Sequence, residues 1–443
     1  MEPPSLPIEV IEHTLNFLDG DFHTLAACSL VCHSLLPGCR ALVWRDVNLN
    51  AAAYKFKERL DKLTEILTVI PDIGYHVRSF TILCGQRARI SVEGAIHLCR
   101  LFPALLSLTL YSVDSADLLT VFSLLHSVPT LEALYLFDIG DNFLRASTLY
   151  SLPSLPPLPY ITATSGTSSE HDMLSQSNLR VLSMVGRRQL RGPSFQAIAP
   201  FVKNLGRETS SLRSLDLRAP VDNVLREEPR VPNFASQLTH FGIVVSDTQE
   251  NGDIDALGRE HMAKVFADLP RCSSLRSLCI QYDASAAFFD REYLHRMRIA
   301  PPPSSHPWIN PFFLEKLSHI LESAPGGPPF PDLERLALVF LNPLDWLLSG
   351  KAAFDQLAQA CLSVNTERNA QGKRRYPRFA RLEIQVRIED MCFTLGKHAK
   401  VADARARFVE MREEAMLLFA GFTRAGVEVE ILWVDRRYQV ERA

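Results

Sequence analysis

Cysteine and histidine are concentrated in one short stretch near the N-terminus of this 443-residue chain. The stretch CSLVCHSLLPGC contains four soft potential metal ligands: Cys28, Cys32, His33 and Cys39. Tetrahedral zinc takes four such ligands. On a helix Cys28 and Cys32 could face one ion, but His33 projects about 100° away from Cys32, and Cys39 lies beyond a Pro-Gly break. We therefore expect no metal site, and expect the thiols to pack as small hydrophobic groups.

Two other stretches could carry chemistry. The segment DTQENGDID (247–255) has calcium-loop residue types at several offsets, but Gly258 stands where such a loop needs Glu, and a strand pattern precedes it. It is predicted to be a strand-to-helix turn. The basic residues between 373 and 381 could form a nuclear address or an anion contact, but a solvated loop is the favoured interpretation.

No motif in the chain indicates catalysis. The metalloprotease, nucleophile-elbow and phosphate-loop patterns are missing, and the 13 histidines are scattered. The sequence therefore predicts a protein that is not an enzyme and takes no cofactor. An enzyme whose site is assembled from distant residues of an α/β array stays an alternative.

The composition is that of a folded protein without a strong charge. Apolar residues make up 47% and charged residues 22%, and a formal net charge of -3 gives no reason to expect a nucleic-acid or membrane partner. We find no run of 18 apolar residues and no secretory signal pattern. The nine cysteines include no C-x-x-C pair, which suits reduced thiols in the cytoplasm or the nucleus.

Three short helices are predicted to position the N-terminal cysteines. Ser5 and Pro7 suit the start of the first helix. Its apolar face comprises Ile8, Ile11, Leu15 and Leu18. After a break at residues 19–21, the second helix is predicted from about Thr24 to the Pro-Gly pair at 37–38, and its apolar face comprises Leu25, Cys28, Val31, Cys32 and Leu35. The third helix carries Leu42, Val43 and Trp44.

This pattern resembles the F-box family. The resemblance is carried by Leu6-Pro7-Ile8-Glu9, Leu30-Val31-Cys32 and Val43-Trp44, and it departs at Leu35, where many members carry Trp. It implies a helical hook over residues 5–49 that docks on the Skp-family adaptor of a cullin-based ubiquitin ligase. The residues implied in adaptor docking are Leu6, Pro7, Ile11, Leu15, Leu30, Val31, Leu35, Val43 and Trp44. The alternative is that the helices only cap the domain that follows.

A short apolar motif, Leu-x-x-Leu-x-Leu, recurs along the rest of the chain after a predicted amphipathic helix over 52–70. Its copies lie at 77–82, 105–110, 131–136, 179–184, 212–217, 238–243, 275–280, 333–338 and 379–384, and VEVEILWV at 427–434 reads as a final strand. Helical patterns lie between copies, at 114–128, 256–270 and 311–323. The strand is that of leucine-rich repeats, in which each unit stacks on the next to bury a shared core.

The predicted fold class is therefore α/β: a short three-helix module over 5–49, then an irregular leucine-rich-repeat-like solenoid over 52–443 with a curved parallel sheet and flanking helices. The array is irregular because the steps between copies vary from 26 to 58 residues. A doubly wound sheet would need a Gly-rich phosphate turn, and a closed barrel would need evenly sized units. Pro- and Ser-rich insertions at 150–172, 299–311 and 323–332, and a polar, basic one at 365–378, are predicted to be loops.

The repeat strands also predict a recognition surface. Side chains that alternate with the core leucines should line the concave face of the sheet. They are Tyr111, Tyr135, Phe137, Asp216, Arg218, His240, Gln281, Arg335, Arg381, Glu383, Gln385 and Arg387. Aromatic residues and charges of this kind suit a protein segment, although inserted loops could instead cover the face.

The favoured hypothesis from the sequence is a substrate receptor of a Skp–cullin–F-box ubiquitin ligase. The N-terminal helices would hold the adaptor, and the array would bind a target protein. The alternative is a leucine-rich-repeat scaffold whose N-terminal helices only cap the array.

Overall fold

The structure of the 443-residue chain is a computed structural model. It describes residues 7–51, 53–84, 89–90, 98–111, 113, 121, 128–139, 149–150, 178–186, 211–218, 235–246, 249–250, 253–254, 266–267, 269–283, 311–322, 328–340, 351–362, 375–387, 401–434 and 440–441. Most of the predicted helices 114–128 and 256–270, and most of the predicted loops, lie outside these residues. Those predictions stay predictions.

The structure gives the bounds of eight α-helices, and described residues at 98–100, 121 and 266–267 are also helical. The eight helices are α1 (Ile8–Asn16), α2 (Phe22–Val31), α3 (Leu36–Val43), α4 (Ala53–Val69), α5 (Pro311–Glu322), α6 (Lys351–Leu362), α7 (Val401–Leu418) and α8 (Ala420–Arg424). Short 3-10 helices cover Pro71–His76, Ala235–Gln237 and Leu269–Arg271. The predicted helices 52–70 and 311–323 are confirmed as α4 and α5.

The strands follow in chain order. They are β1 (Asp46–Ala51), β2 (Ser79–Cys84), β3 (Arg89–Ile90), β4 (Ser107–Tyr111), β5 (Ala133–Ile139), β6 (Leu149–Tyr150), β7 (Val181–Gly186), β8 (Ser214–Arg218), β9 (His240–Ser246), β10 (Gln249–Glu250), β11 (Asp253–Ile254), β12 (Ser277–Asp283), β13 (Arg335–Phe340), β14 (Arg381–Arg387), β15 (Glu428–Val434) and β16 (Val440–Glu441).

The chain forms two compact units, residues 1–182 and 183–443. In the first unit β1, β2, β4 and β5 pair in parallel and in chain order. In the second unit β8, β9, β12, β13, β14 and β15 pair in the same way, and β16 adds an antiparallel edge. Strand β7 spans the boundary. Parallel neighbours joined by long crossovers confirm the predicted irregular, leucine-rich-repeat-like α/β array.

Every predicted copy of the repeat motif forms a strand, but each strand begins two residues after the first apolar residue of its copy. That first residue lies in the preceding turn and is buried. Leu333, for example, donates its backbone N–H to the carbonyl of Phe330 before β13 begins. The motif therefore marks a buried turn followed by a strand, and the first leucine of each copy anchors the turn to the core.

Strand β1 was not predicted. Residues Asp46–Ala51 pair in parallel with β2, although the sequence placed residues 46–49 in the helical module. The signal was short, since only Val47 and Leu49 alternate with polar residues, and of the two only Leu49 is buried. The first repeat strand thus begins directly after the third helix.

The second helix is shorter than predicted. It ends at Val31, and Cys32 has extended backbone with φ -157° and ψ 158°. The Pro-Gly pair does not end this helix but lies in the first turn of α3, where a proline costs no backbone hydrogen bond. The expectation that Val31 and Cys32 lie on the packed apolar face of the second helix is wrong, because both are exposed, as is Leu30.

A small apolar cluster holds the three N-terminal helices together. Leu15, Leu25 and Cys39 are buried at its centre, and six partly buried residues pack against them: Ile11, Leu18, Cys28, Leu35, Leu42 and Val43. The predicted break between the first two helices is confirmed. Gly20 has φ +85° there, a conformation that glycine adopts without the steric cost of a side chain.

Helices cover one face of the sheet in the second unit. Tyr282 of β12 stacks on Phe313 of α5, with ring centroids 5.2 Å apart. Further along, Phe340 meets Phe354 of α6 at 6.4 Å, and Trp433 meets Phe408 of α7 edge to face at 5.0 Å. The core therefore lies between these helices and the face of the sheet that carries the repeat leucines.

The calcium-like segment after β9 forms a small antiparallel hairpin, β10 and β11, with Gln249 opposite Ile254. The predicted strand-to-helix turn is therefore replaced by a hairpin at this point.

Within the residues described, none of the helices has the length and apolar character needed to cross a bilayer.

Gly74 packs closely against the backbone of Leu101 in the first unit. A β-carbon there would overlap the backbone carbonyl of Leu101, which cannot move aside as a flexible side chain could. We expect Gly74→Ala to lower the free energy of unfolding by about 1–3 kcal/mol, measured by chemical denaturation. Gly421→Ala is the matched control, because its β-carbon would lie 3.5 Å from that of Ala358. Equal stability of the two variants would contradict this close approach.

Candidate functional site

The outer side of α2 is apolar. Phe22, Ala26 and Leu30 follow one another at i, i+4 and i+8 along the helix, and all three are exposed. Leu30 is 87% exposed and its neighbour Val31 is 73% exposed. We call Phe22, Ala26, Leu30 and Val31 the outer stripe. A helix that is apolar on both sides is expected to be buried on both sides, but among the residues that the structure describes the outer side of this one is exposed.

The predicted adaptor-docking residues divide into two groups in the structure. Pro7, Leu30 and Val31 are exposed and Trp44 is half-buried. Leu15 is buried in the apolar cluster, and Ile11, Leu35 and Val43 pack against it. Leu6 lies outside the described residues. The assignment of all nine to adaptor docking stays a prediction. Sequence reasoning missed Phe22 and also Phe17, which is 78% exposed after α1, because it read each helix for one apolar face only.

The cysteines that raised the question of a metal lie in different environments. Cys39 is buried, and burial together with the neighbouring thiols of Cys28 and Cys32 raises its pKa. Cys32 is exposed, and its Sγ lies 3.0 Å from the Ser34 hydroxyl, whose hydrogen bond lowers the thiol pKa. Within the described residues no group of three or more His, Cys, Asp or Glu side chains could hold a metal ion.

The second face of the sheet carries the side chains that alternate with the core residues. It is the face predicted to be concave. In the first unit it is aromatic: Tyr111 and Phe137 are paired in register and stack with centroids 4.9 Å apart, and Tyr135 stacks beside Phe137 at 6.3 Å. All three are half-buried, and burial raises the pKa of Tyr135.

In the second unit the second face carries a charged network across three strands. Arg335 of β13 donates from Nε to Oε1 of Glu383 at 2.7 Å and from Nη2 to the other carboxylate oxygen. Arg381 donates to Glu430 of β15 at 2.6 Å, and its Nε lies 2.8 Å from Glu383. Gln385 donates to Glu383 at 3.2 Å. The carboxylate of Glu383 thus contacts three other side chains, those of Arg335, Arg381 and Gln385.

Glu383 is 3% exposed. Burial by itself would raise its pKa, but the hydrogen bonds and charges of Arg335, the amide of Gln385 and the charge of Arg381 outweigh burial, so the pKa is lowered. The carboxylate is therefore ionised in the folded chain at neutral pH.

The remaining predicted recognition residues are also largely buried. Asp216 accepts a hydrogen bond from the Ser183 hydroxyl at 3.3 Å, and its carboxylate lies over Gly242, where no side chain could fit. Gln281 is buried and His240 is half-buried. The structure describes only the backbone of Arg218 and Arg387. Their role in binding a substrate stays a prediction.

Small and apolar side chains separate the charged groups on this face. Cys279, Ala337 and Val339 form a buried cluster on β12 and β13. Sequence reasoning assigned the face to polar and aromatic residues and missed this cluster. The available signal was the small residue at the same register position in three consecutive strands: Gly242, Cys279 and Ala337.

Comparisons with known proteins add little to this geometry. No protein-family model matches the chain, and no curated protein does. Among solved structures the chain is similar to the leucine-rich-repeat-containing protein LegL7 from Legionella pneumophila, at 14% sequence identity and a TM-score of 0.37, over 90% of this chain and 92% of that one.

The strand pairing by itself defines the class of protein. Both units are α/β repeat arrays with parallel strands in chain order, and the first unit begins with three small helices.

Proposed function

We propose that this protein is a substrate receptor of a Skp–cullin–F-box ubiquitin ligase. The N-terminal helices dock on a Skp-family adaptor and through it on a cullin, and the repeat array binds a target protein. The observation that carries the proposal is the exposure of Leu30 and Val31, the two apolar residues of the F-box-like motif on α2. Exposed apolar patches of this kind mark protein interaction sites.

The shape of the N-terminal module supports this function. Its core consists of three buried residues with six others packed around them, and α2 still presents an apolar outer stripe. A module this small gains stability when a partner covers such a stripe. The predicted docking residues Leu30 and Val31 then contact the adaptor from the outer side of α2. Four others that are also predicted to dock pack in the cluster that holds the helices together: Ile11, Leu15, Leu35 and Val43.

A second candidate function is a repeat scaffold whose helices cap the first strand. One observation favours it. Arg45 follows α3, pairs with Asp19 at 2.6 Å and with Asp46 at 2.9 Å, and accepts the backbone N–H groups of Arg78 and Ser79 at its carbonyl. The helices are therefore joined to β1 and β2 by polar contacts as well as by the chain, as a cap would be.

Adaptor binding separates the two candidates. We expect Leu30→Asp or Val31→Asp to weaken binding of a purified Skp-family adaptor by about a hundredfold, because interface energy concentrates in a few apolar anchors. Binding is measured by calorimetry on the full chain. Leu417→Asp is the matched control, since Leu417 on α7 is 74% exposed and undergoes the same chemical change. No adaptor binding by the unaltered chain, or equal binding by all variants, would favour the cap.

A further inference from the structure

The second face differs between the two units in how far solvent reaches it. In the first unit the third residue of three neighbouring repeat strands is half-buried, and these residues form one register row: Thr81 on β2, Thr109 on β4 and Tyr135 on β5. The equivalent residues of β12, β13 and β14 in the second unit are all buried: Cys279, Ala337 and Glu383. At this level of the strands, water therefore contacts the second face of the first unit only.

The two units also differ in the charge that this face carries. In the second unit the charged groups pair with one another around Glu383. Along β1, β2, β4 and β5, among the described residues, the only charged side chain on the second face is that of Asp46, and it pairs with Arg45 at 2.9 Å. A partner of the first unit therefore meets hydroxyl and aromatic groups, and an uncharged partner suits them best.

Stacked aromatic rings lie beside the row of the first unit. Tyr111 and Phe137 are one row further along, and with Tyr135 they form a stack whose centroids are 4.9 and 6.3 Å apart. Rings stacked in this way cover each other's faces, so a partner meets their edges, which carry the positive part of the ring quadrupole. Carbonyl oxygens are complementary to such edges and to hydroxyl donors. We call Thr81, Thr109, Tyr111, Tyr135 and Phe137 the hydroxyl-aromatic surface.

A polyproline II segment presents carbonyl oxygens in the form that this surface requires. None of its carbonyls is used in an internal hydrogen bond, and proline-rich segments dock on aromatic-lined surfaces. The spacing fits as well. Thr81 and Tyr135 lie two strands apart, which is about 10 Å. One turn of polyproline II has three residues and advances about 9 Å, so residues i and i+3 of the segment reach the two ends of the row.

We propose that the hydroxyl-aromatic surface binds an uncharged, proline-rich segment of the target protein in the polyproline II conformation. The inference rests on the proposed function, in which the array captures a protein. It assigns that capture to the first unit and names the chemistry of the contact. Proline rings pack against the aromatic edges, and the hydroxyls of Thr109 and Tyr135 donate to carbonyl oxygens of the segment.

The experiment selects a display library of short random peptides on the full chain and measures the affinity of the best peptide by fluorescence anisotropy. We expect the selected peptides to carry proline at i and i+3 and few charged residues. Thr109→Lys places a charge in the middle of the row and should weaken the peptide by at least about tenfold. Its unfolding midpoint should stay close to that of the unaltered chain, because Thr109 is half-buried and the longer side chain can reach solvent.

A milder variant keeps the test valid if Thr109→Lys does not fold. Tyr135→Phe removes only the hydroxyl and should weaken the peptide by about threefold to tenfold. Tyr75→Phe is the matched control, since Tyr75 is 61% exposed on the 3-10 helix before β2 and undergoes the same chemical change. It should leave the affinity unchanged.

The other results would each overturn the inference. Selected peptides that are charged or lack proline would contradict its chemistry. Peptides that bind Thr109→Lys and Tyr135→Phe as tightly as the unaltered chain would contradict its location and leave capture by the array intact. Binding that is seen only after deletion of residues 151–160, which read SLPSLPPLPY, would assign the surface to the chain's own segment. Adaptor binding uses the outer stripe and should be equal in all variants, so its loss in the unaltered chain would count against the proposed function alone.

Discussion

Replacing Leu336 by alanine is expected to lower the free energy of unfolding by about 2–5 kcal/mol. Leu336 has no solvent exposure and lies in the middle of β13, with Leu278 on one side in register and Leu382 on the other. The substitution removes apolar surface from the core and leaves a cavity that paired strands on both sides cannot close. Thermal or urea unfolding of the full chain measures the loss.

The same change at an exposed leucine gives the control. Leu417→Ala on α7 removes the same atoms from a side chain that is already in water, so stability should change by about 0.5 kcal/mol or less. Leu215→Ala in β8, which is equally buried, should behave like Leu336→Ala. A negligible effect at both buried leucines would show that the strand register described above is wrong.

Replacing Glu383 by glutamine is expected to lower the free energy of unfolding by about 1–3 kcal/mol at neutral pH. Removing one member of a buried ion pair leaves the other charges without compensation. This loss of stability is smaller than the loss expected when a fully buried ion pair is broken. The side chains of Arg335 and Arg381 are 38% and 29% exposed, so water screens their charges. Glu132→Gln is the matched control, since its 3.5 Å pair with Arg180 lies at the surface and should contribute little.

The loss at Glu383 should depend on pH in a definite direction. The pKa of Glu383 is lower in the folded chain than in the unfolded chain, where it is about 4.3. The carboxylate therefore stabilises the fold fully above the unfolded pKa, and this contribution is lost as the pH falls through the folded pKa. The difference in stability between the unaltered chain and Glu383→Gln should be constant above about pH 6 and shrink in acid. A difference that grows in acid would contradict the role of the carboxylate.

The repeat strands could be predicted from the sequence because their signal is local. In LERLAL the alternation of Leu336 and Leu338 with other residues specifies which side chains face the core, and Leu333 three positions earlier specifies the turn. Each copy carries this information within six residues. The predicted strands therefore appear in the described structure even where the steps between them are irregular.

The end of α2 was predicted too late because two local signals competed. The Pro-Gly pair at 37–38 is a familiar stop signal, but proline in the first turn of the next helix is equally compatible with it. Packing decided between them. The chain turns at Cys32 so that Leu35 and Cys39 reach Leu15 and Leu25, and this leaves Leu30 and Val31 in solvent.

By itself the sequence determined the repeat strands, though not β1, and their core residues, because these depend on periodicity within short segments. The tertiary structure decided which hydrogen bonds and ion pairs the side chains of the second face make. Alternation places Glu383 and Gln281 on the face opposite the leucines. It does not predict that Arg335 on the preceding strand pairs with Glu383, or that the amide of Gln281 has no hydrogen-bond partner among the described residues. Such pairing joins residues about fifty positions apart in the chain, and only the register between strands brings them within hydrogen-bond distance.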